Sequence, residues 1–176
     1  MTGKERMLKI LAHEPVDRIG LYEHFWGDTH RAWQEAGHIK AGESYADHFG
    51  FDMDECWAFN MVADLDFAPK VVAEDEHTKT FLDGNGAVLR RHKFHDTTPE
   101  HIDFTVKERE DWDKMKHLLV PDRRRINFEG YRNAKRYAAE KGRFFVWSGV
   151  NVFESIHPLC GHENMLVGMA VGPDWV

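Results

Sequence analysis

Pro15-Val16-Asp17-Arg18-Ile19-Gly20-Leu21-Tyr22-Glu23-His24-Phe25-Trp26-Gly27-Asp28 is the stretch on which the fold reading turns. Pro15 stops a preceding helix, because its nitrogen has no hydrogen to donate and its ring fixes φ. Residues 18–22 then read as a short strand. Residues 23–28 read as a loop at the carboxyl end of that strand, dense in functional groups. A doubly wound nucleotide-binding sheet would place a glycine-rich G-x-G-x-x-G turn at this point. The loop carries no such turn, so a barrel is preferred.

Upstream, Thr2-x-x-Glu5 is a capping box, and Met7, Leu8 and Leu11 form an apolar stripe at helical spacing. Downstream, Asp28 or Thr29 can cap a helix over residues 30–36, which Gly37 ends. A second short helix over 44–49 closes at Gly50, and residues 56–62 form a candidate strand. Within residues 70–93, Val71-Val72 and residues 78–82 are β-prone, and Asp83-Gly84-Asn85-Gly86 is a turn leading to Ala87-Val88-Leu89, which predicts a β-hairpin with His92 and His95 beside its return. Trp112, Met115 and Leu118 or Leu119 lie on one face of a helix over 106–119, stopped by Pro121. Phe128, Tyr131, Ala134 and Ala138 do the same over 126–141, with Gly142 beyond. Phe144-Phe145-Val146-Trp147 is continuously apolar, as a strand buried on both faces would be. The loop Ser148-Gly149-Val150-Asn151 follows it, and a last helix runs over 162–171. Strands alternating with helices predict right-handed βαβ units and a parallel sheet.

A chain of 176 residues suits one domain. Thirty acidic residues against 23 lysines and arginines, net −7, argue against nucleic-acid binding, which needs cations to displace phosphate counterions. Arg123-Arg124-Arg125 is the one basic cluster and reads as a solvated patch. No apolar run approaches the roughly 20 residues that span a bilayer, so no membrane association is expected. Cys56 and Cys160 give no disulfide framework. A cytoplasmic setting follows, and the 12 histidines raise the question of metal or proton chemistry.

Three stretches together resemble the uroporphyrinogen decarboxylase superfamily. The first is Thr2-Gly3-Lys4-Glu5-Arg6 followed by His13-Glu14-Pro15-Val16-Asp17-Arg18-Ile19. The second is the Asp-Gly hairpin followed by the Trp112 segment and Pro121, and the third is Gly161-x-Glu163-Asn164-Met165-Leu166 with Pro173. The resemblance implies a (β/α)8 TIM barrel, here a partial one. Such a barrel needs about 250 residues, so residues 1–176 would form its amino-terminal half, with the β-hairpin as an excursion. A half barrel is expected to be inactive alone and to self-associate as a homo-oligomer through its unpaired sheet edges. Within the superfamily, decarboxylation of uroporphyrinogen is disfavoured. Its carboxylates are gripped by an early arginine-rich segment, whereas residues 21–28 hold no arginine and two acids plus Glu23's neighbour His24. The resemblance then implies the methyltransferase branch. Members of that branch move methyl groups between a small donor or thiol and a corrinoid, with zinc in some and a corrinoid protein as partner. A lyase acting on a smaller carboxylate, with Arg18 and Arg31 as its cations, is the alternative. A non-catalytic metal- or tetrapyrrole-binding module is a third reading.

In a barrel the site gathers at the carboxyl ends of the strands. Glu23 and His24 are the candidate catalytic acid–base pair for a small-molecule substrate, and Trp26 a stacking wall. Asn60, Trp147, Ser148, Asn151 and Glu154 are candidate substrate-binding residues. Asp28 reads as a helix cap and Asn60 and Asp64 read equally well as turn formers. His157-x-x-Cys160-x-His162 has zinc-ligand residue types, but its spacing favours structural roles, and no metal ligands are assigned.

Overall fold

A computed structural model describes residues 1–149 and 151–174. In chain order the helices are α1 (Gly3–Leu11), α2 (Gly27–Glu35), α3 (Tyr45–Phe49), α4 (Arg109–Met115), α5 (Phe128–Glu140), α6 (Val152–Cys160) and α7 (His162–Val171). The strands are β1 (Met53–Cys56), β2 (Lys70–Glu74), β3 (Thr78–Leu82), β4 (Ala87–His92), β5 (Glu100–Phe104) and β6 (Phe144–Trp147). No helix among the described residues is long and apolar enough to cross a membrane.

The chain divides into two compact units, Met1–Ala58 with Asn127–Gly149, and Phe59–Ile126 with Val150–Val176. In the first, β1 and β6 pair in parallel, with Met53 opposite Phe144 and Cys56 opposite Trp147. Two helices pack on this ribbon: α5 lies on both strands, and α1 reaches both from the amino-terminal side. In the second, β2-β3-β4-β5 form an antiparallel meander. A small core of Val106, Cys160 and Met165 joins α6 and α7 to Trp112 and Met115.

The partial (β/α)8 barrel expected from the resemblance is therefore not what the chain forms. A two-stranded parallel sheet and a separate four-stranded antiparallel sheet do not make a cylinder. The physical reason lies in residues 18–22. They join no sheet, because the Leu21 backbone pairs with one residue instead, the side chain and the N–H of Asp52. The Leu21 N–H donates to Asp52 Oδ2 at 2.8 Å, and Leu21 C=O accepts from Asp52 N–H at 2.9 Å. The strand expected over 56–62 lies earlier, at Met53–Cys56, since Asn60 and Asp64 turn the chain. The Phe144 strand is only part-buried, with Trp147 half exposed, because it has a neighbour on one side alone. The Met7-Leu8-Leu11 stripe does not seal a core either: Leu8 and Leu11 are exposed, and the residue that α1 buries is Arg6.

Arg6 is buried by charge pairing. Its guanidinium bonds Asp17 through Nε at 2.7 Å and Nη2 at 2.8 Å, and meets Asp52 through Nη1. Arg18 reaches the same Asp52 carboxylate from the other side, at 2.6 and 3.1 Å. Asp52 is 2% exposed. Burial pushes its carboxyl upward, but the hydrogen bonds from Arg18 and Leu21 N–H and the charges of Arg18 and Arg6 outweigh this, and the net shift is downward. Gly3 allows the close approach: a Cβ there would stand 2.7 Å from the Asp52 backbone. Nearby, Arg143 and Lys141 converge on Asp47 and hold its carboxyl at about 2.

Asp52→Ala leaves the buried Arg6 guanidinium with Asp17 alone and frees Arg18 and the Leu21 N–H, and we expect a loss of about 3 kcal/mol in urea unfolding. These carboxylates titrate lower folded than unfolded, so the stability they contribute is complete above the ordinary carboxylate range. It is lost as pH falls through their folded values. The unfolding midpoint is expected to hold above about pH 5 and to drop between about pH 4 and 2. Asp47→Asn is expected to shrink that drop.

Candidate functional site

Tyr22 and His24 are two residues apart in an extended segment, so their side chains leave the backbone on the same side. The rings meet edge to face, with centroids 5.0 Å apart. Both reach Glu55, near the carboxyl end of β1. Tyr22 Oη donates to Glu55 Oε2 at 2.6 Å, and His24 Nε2 lies 2.9 Å from the same oxygen and 3.1 Å from Tyr22 Oη. Across the parallel register, Ser148 follows β6 and continues the ladder, its N–H donating to Cys56 C=O at 3.1 Å. Ser148 and Trp57 also face the Glu55 carboxylate and favour its ionised form.

The geometry fixes where the protons are. Tyr22 has one hydroxyl hydrogen and spends it on Glu55. Towards His24, Tyr22 Oη can therefore only accept, so Nε2 carries a hydrogen and shares it between the phenol and the carboxylate. In neutral His24 the lone pair is then on Nδ1, for which no partner exists among the described residues. The imidazole is 66% exposed while Glu55 is 13% exposed. Burial tends to raise the Glu55 carboxyl; Ser148, Tyr22, Trp57 and the His24 charge outweigh it, and Glu55 stays ionised. Burial and the bond to Glu55 push the Tyr22 phenol well above its ordinary range. The unit is a carboxylate that orients an imidazole, with the outward nitrogen free to take a proton.

Five of the residues singled out from the sequence, Glu23, His24, Trp26, Trp147 and Ser148, belong to the first unit. His24 and Ser148 meet at Glu55. Glu23 does not pair with the His24 ring; its carboxylate accepts the His24 backbone N–H at 2.8 Å. Trp26 is more than half exposed at the N-cap position of α2, and Trp147 is half exposed. Asp28 is inside the first turn of α2, bonded to Arg31 at 2.7 Å, and does not cap it. Asn60, Asn151 and Glu154 belong to the second unit. Asn60 Oδ1 accepts from Val62 N–H, a turn contact, and Asn151 caps α6 by accepting from Glu154 N–H at 3.0 Å. Glu154 lies 3.6 Å from His157 Nδ1. Val150, within the expected 148–151 loop, lies outside the described residues.

Sequence reasoning missed Glu55 and Tyr22. The available signal was the i, i+2 pair Tyr22 and His24, and the acid Glu55 just before the apolar-flanked segment that was read as beginning one residue later.

The histidine-rich segments do not assemble a metal centre. His157 and His162 stack with centroids 4.1 Å apart, and Cys160 is buried with its thiol directed at Ile156 C=O and its ionisation pushed up by burial. No group of three histidine, cysteine, aspartate or glutamate side chains among the described residues could hold a metal ion. Zinc therefore does not fit these residues. Comparison with family models, with curated proteins and with solved structures returns no match.

Glu55→Gln removes the charge that raises Tyr22. We expect the Tyr22 phenol to ionise at lower pH in that variant, though still above its ordinary range because burial remains. Tyrosinate absorbance reads this, with Tyr22→Phe identifying the signal.

Proposed function

We propose that the first unit is the proton-transfer site of an enzyme acting on a small molecule, of the methyl-transfer kind that the sequence resemblance implies. The observation that carries it is the Tyr22–His24–Glu55 triangle at the carboxyl end of the parallel ribbon. Glu55 and Tyr22 hold the His24 ring by Nε2 and leave Nδ1 facing solvent. In this reading His24 Nδ1 takes the proton of a thiol that is to accept methyl, or, once protonated, returns one to the oxygen or nitrogen from which methyl departs. Ser148 and Trp57 keep the carboxylate ionised and in place. Any corrinoid would be carried by a partner protein, and no step here runs through it.

The motif resemblance and the charge of the site favour methyl transfer over the lyase alternative. The side chains on the Glu55 carboxylate are Tyr22, His24, Trp57 and Ser148, none of them a fixed cation. Arg18 spends its guanidinium on Asp52 and on Ile19 C=O, and Arg31 bonds Asp28. A substrate carboxylate would meet Glu55 with no cation to offset it. For the third reading, a non-catalytic metal- or tetrapyrrole-binding module, no three-ligand group among the described residues supports the metal-binding form.

The His24 ring resonances test this. Small thiols and methylated ethers, amines and thioethers are expected to shift them at neutral pH, and the shifts are expected to vanish in Glu55→Ala, which releases the ring. Di- and tricarboxylates are expected to leave them unmoved. If the carboxylates move them and the methyl compounds do not, decarboxylation replaces methyl transfer.

A further inference from the structure

Three histidines meet in the second unit. His157 is on α6, His162 opens α7 and His101 is on β5. The His157 and His162 rings stack, 12° from parallel with centroids 4.1 Å apart, and the His101 ring lies 6.1 Å from that of His157. The corner between the helices permits this arrangement. Gly161 has φ 77°, and a Cβ there would stand 2.5 Å from the ring of Phe104, also on β5. Only glycine lets the α6–α7 corner come so close to that strand.

The His157 side chain is 19% exposed. Its Nδ1 is closed to solvent and makes no hydrogen bond, and Glu154 Oε2 stands 3.6 Å away. A neutral imidazole can pack in this way. A charged one has lost its water, and it faces two other imidazoles that carry like charge whenever they are protonated.

The groups around it show which effect wins. Its own helix brings Glu154, and α7 brings His162 with Glu163 beside it. From the β5 side come His101 and Asp103, the latter paired to Lys107 at 2.7 Å. On β4, which packs against α6, Arg90 is held by Glu100, Arg91 lies over the Phe81 ring and His92 lies against His95. Helix α4 meets α6 through uncharged Trp112 and Met115. Arg125 is on the opposite face of α6, with Ile156 and Leu159. Burial and the charges of His162 and His101 push the His157 imidazole downward; Glu154 pulls it upward and is outweighed.

We infer that the His101–His157–His162 cluster is an acid-sensitive clasp, which holds α6 and α7 on β5 while His157 is neutral and releases them as it takes a proton. The inference does not depend on the proton-transfer reading, which concerns the other unit. A histidine that is harder to protonate folded than unfolded contributes stability that is complete above its ordinary value of 6.5 and is lost as pH falls below it. The first unit, set by its carboxylates, keeps its separate range below about pH 4.

Cys160, 2% exposed at the end of α6, reports release. Dithiodipyridine, an aromatic disulfide that traps thiols in acid, is applied from about pH 7.5 to about pH 5. Rates are divided by those of the urea-unfolded chain at the same pH, and peptic peptides separate the Cys160 adduct from that of Cys56. Protection of Cys160 is expected to fall at least about threefold over this range, while that of Cys56 holds. His157→Phe keeps a ring in the stack and removes the titration, so its profile should be flat. Glu154→Gln removes the acid that favours the proton, so its fall should be larger than that of the native chain. If His157→Phe does not fold by circular dichroism, the Glu154→Gln comparison decides. Constant protection of Cys160 down to about pH 5, an equal fall in His157→Phe, or a fall in Glu154→Gln no larger than in the native chain would overturn the inference.

Discussion

Asp52 is the constraint on which the first unit depends. A carboxylate at 2% exposure is tolerable only where its charge is matched, and here two guanidinium groups and a backbone N–H meet it. Three parts of the chain meet there: Arg6 from α1, Arg18 and Leu21 from the extended segment, and Asp52 itself from the entry to β1. The Phe144 N–H donates to Asp52 C=O at 2.8 Å, so the same residue also starts the parallel pairing with β6. One residue thus joins a helix, an extended strap and a sheet. The Asp17-Arg18 pair that reads in sequence as the turn into a first barrel strand is the very pair that neutralises this junction. That is why the strap stays outside any sheet.

Local signals in the sequence were legible because they are closed by neighbours. The Thr2–Glu5 capping box forms with both of its hydrogen bonds. Ser44 caps α3, and Gly50 ends it at φ 67°. The Asp83-Gly84-Asn85-Gly86 turn joins β3 to β4, with Asp83 accepting from Asn85 and Ala87. Phe144–Trp147 is a strand with the bounds read for it. The hairpin was underestimated: the β-prone Val71-Val72 lie in a full strand, β2, and β5 makes a fourth. The Asp75 side chain makes the turn before Thr78, but Asp75-Glu76-His77 carries no glycine to announce it. Helix α6 went unread since Pro158 interrupts its pattern.

Long-range features were the part that could not be read. Whether alternating strands and helices close a cylinder depends on which strand pairs with which, and no residue in the 18–22 segment advertises that its backbone will bond a side chain 31 residues away. The candidate site divides in the same way. His24 was visible as a lone imidazole in a polar loop, and Ser148 as the residue after an apolar strand. Their common partner was not, for Glu55 sits in Asp52-Met53-Asp54-Glu55, a run whose acids read as solvated. Two of those acids instead serve opposite ends of β1. Asp52 anchors the strap, and Glu55 receives what the strap delivers.

That geometry ties the chemistry to the fold. Leu21 is held by Asp52, and Tyr22 is the next residue; two residues, Met53 and Asp54, separate Asp52 from Glu55 along an extended strand. The strap therefore runs beside β1 with its first contact fixed by charge, and Tyr22 and His24, alternating to one side, reach Glu55 at 2.6 and 2.9 Å. A buried ion pair is weak evidence for stability as such, since an apolar replacement is often as stable. Its value here is positional. An apolar contact at Asp52 could bury the same surface while letting the strap slide, whereas two guanidinium groups and one N–H converging on a single carboxylate permit one register. The outward nitrogen of His24 is aimed by that register, so the precision of the exposed site is set at a residue that solvent never reaches.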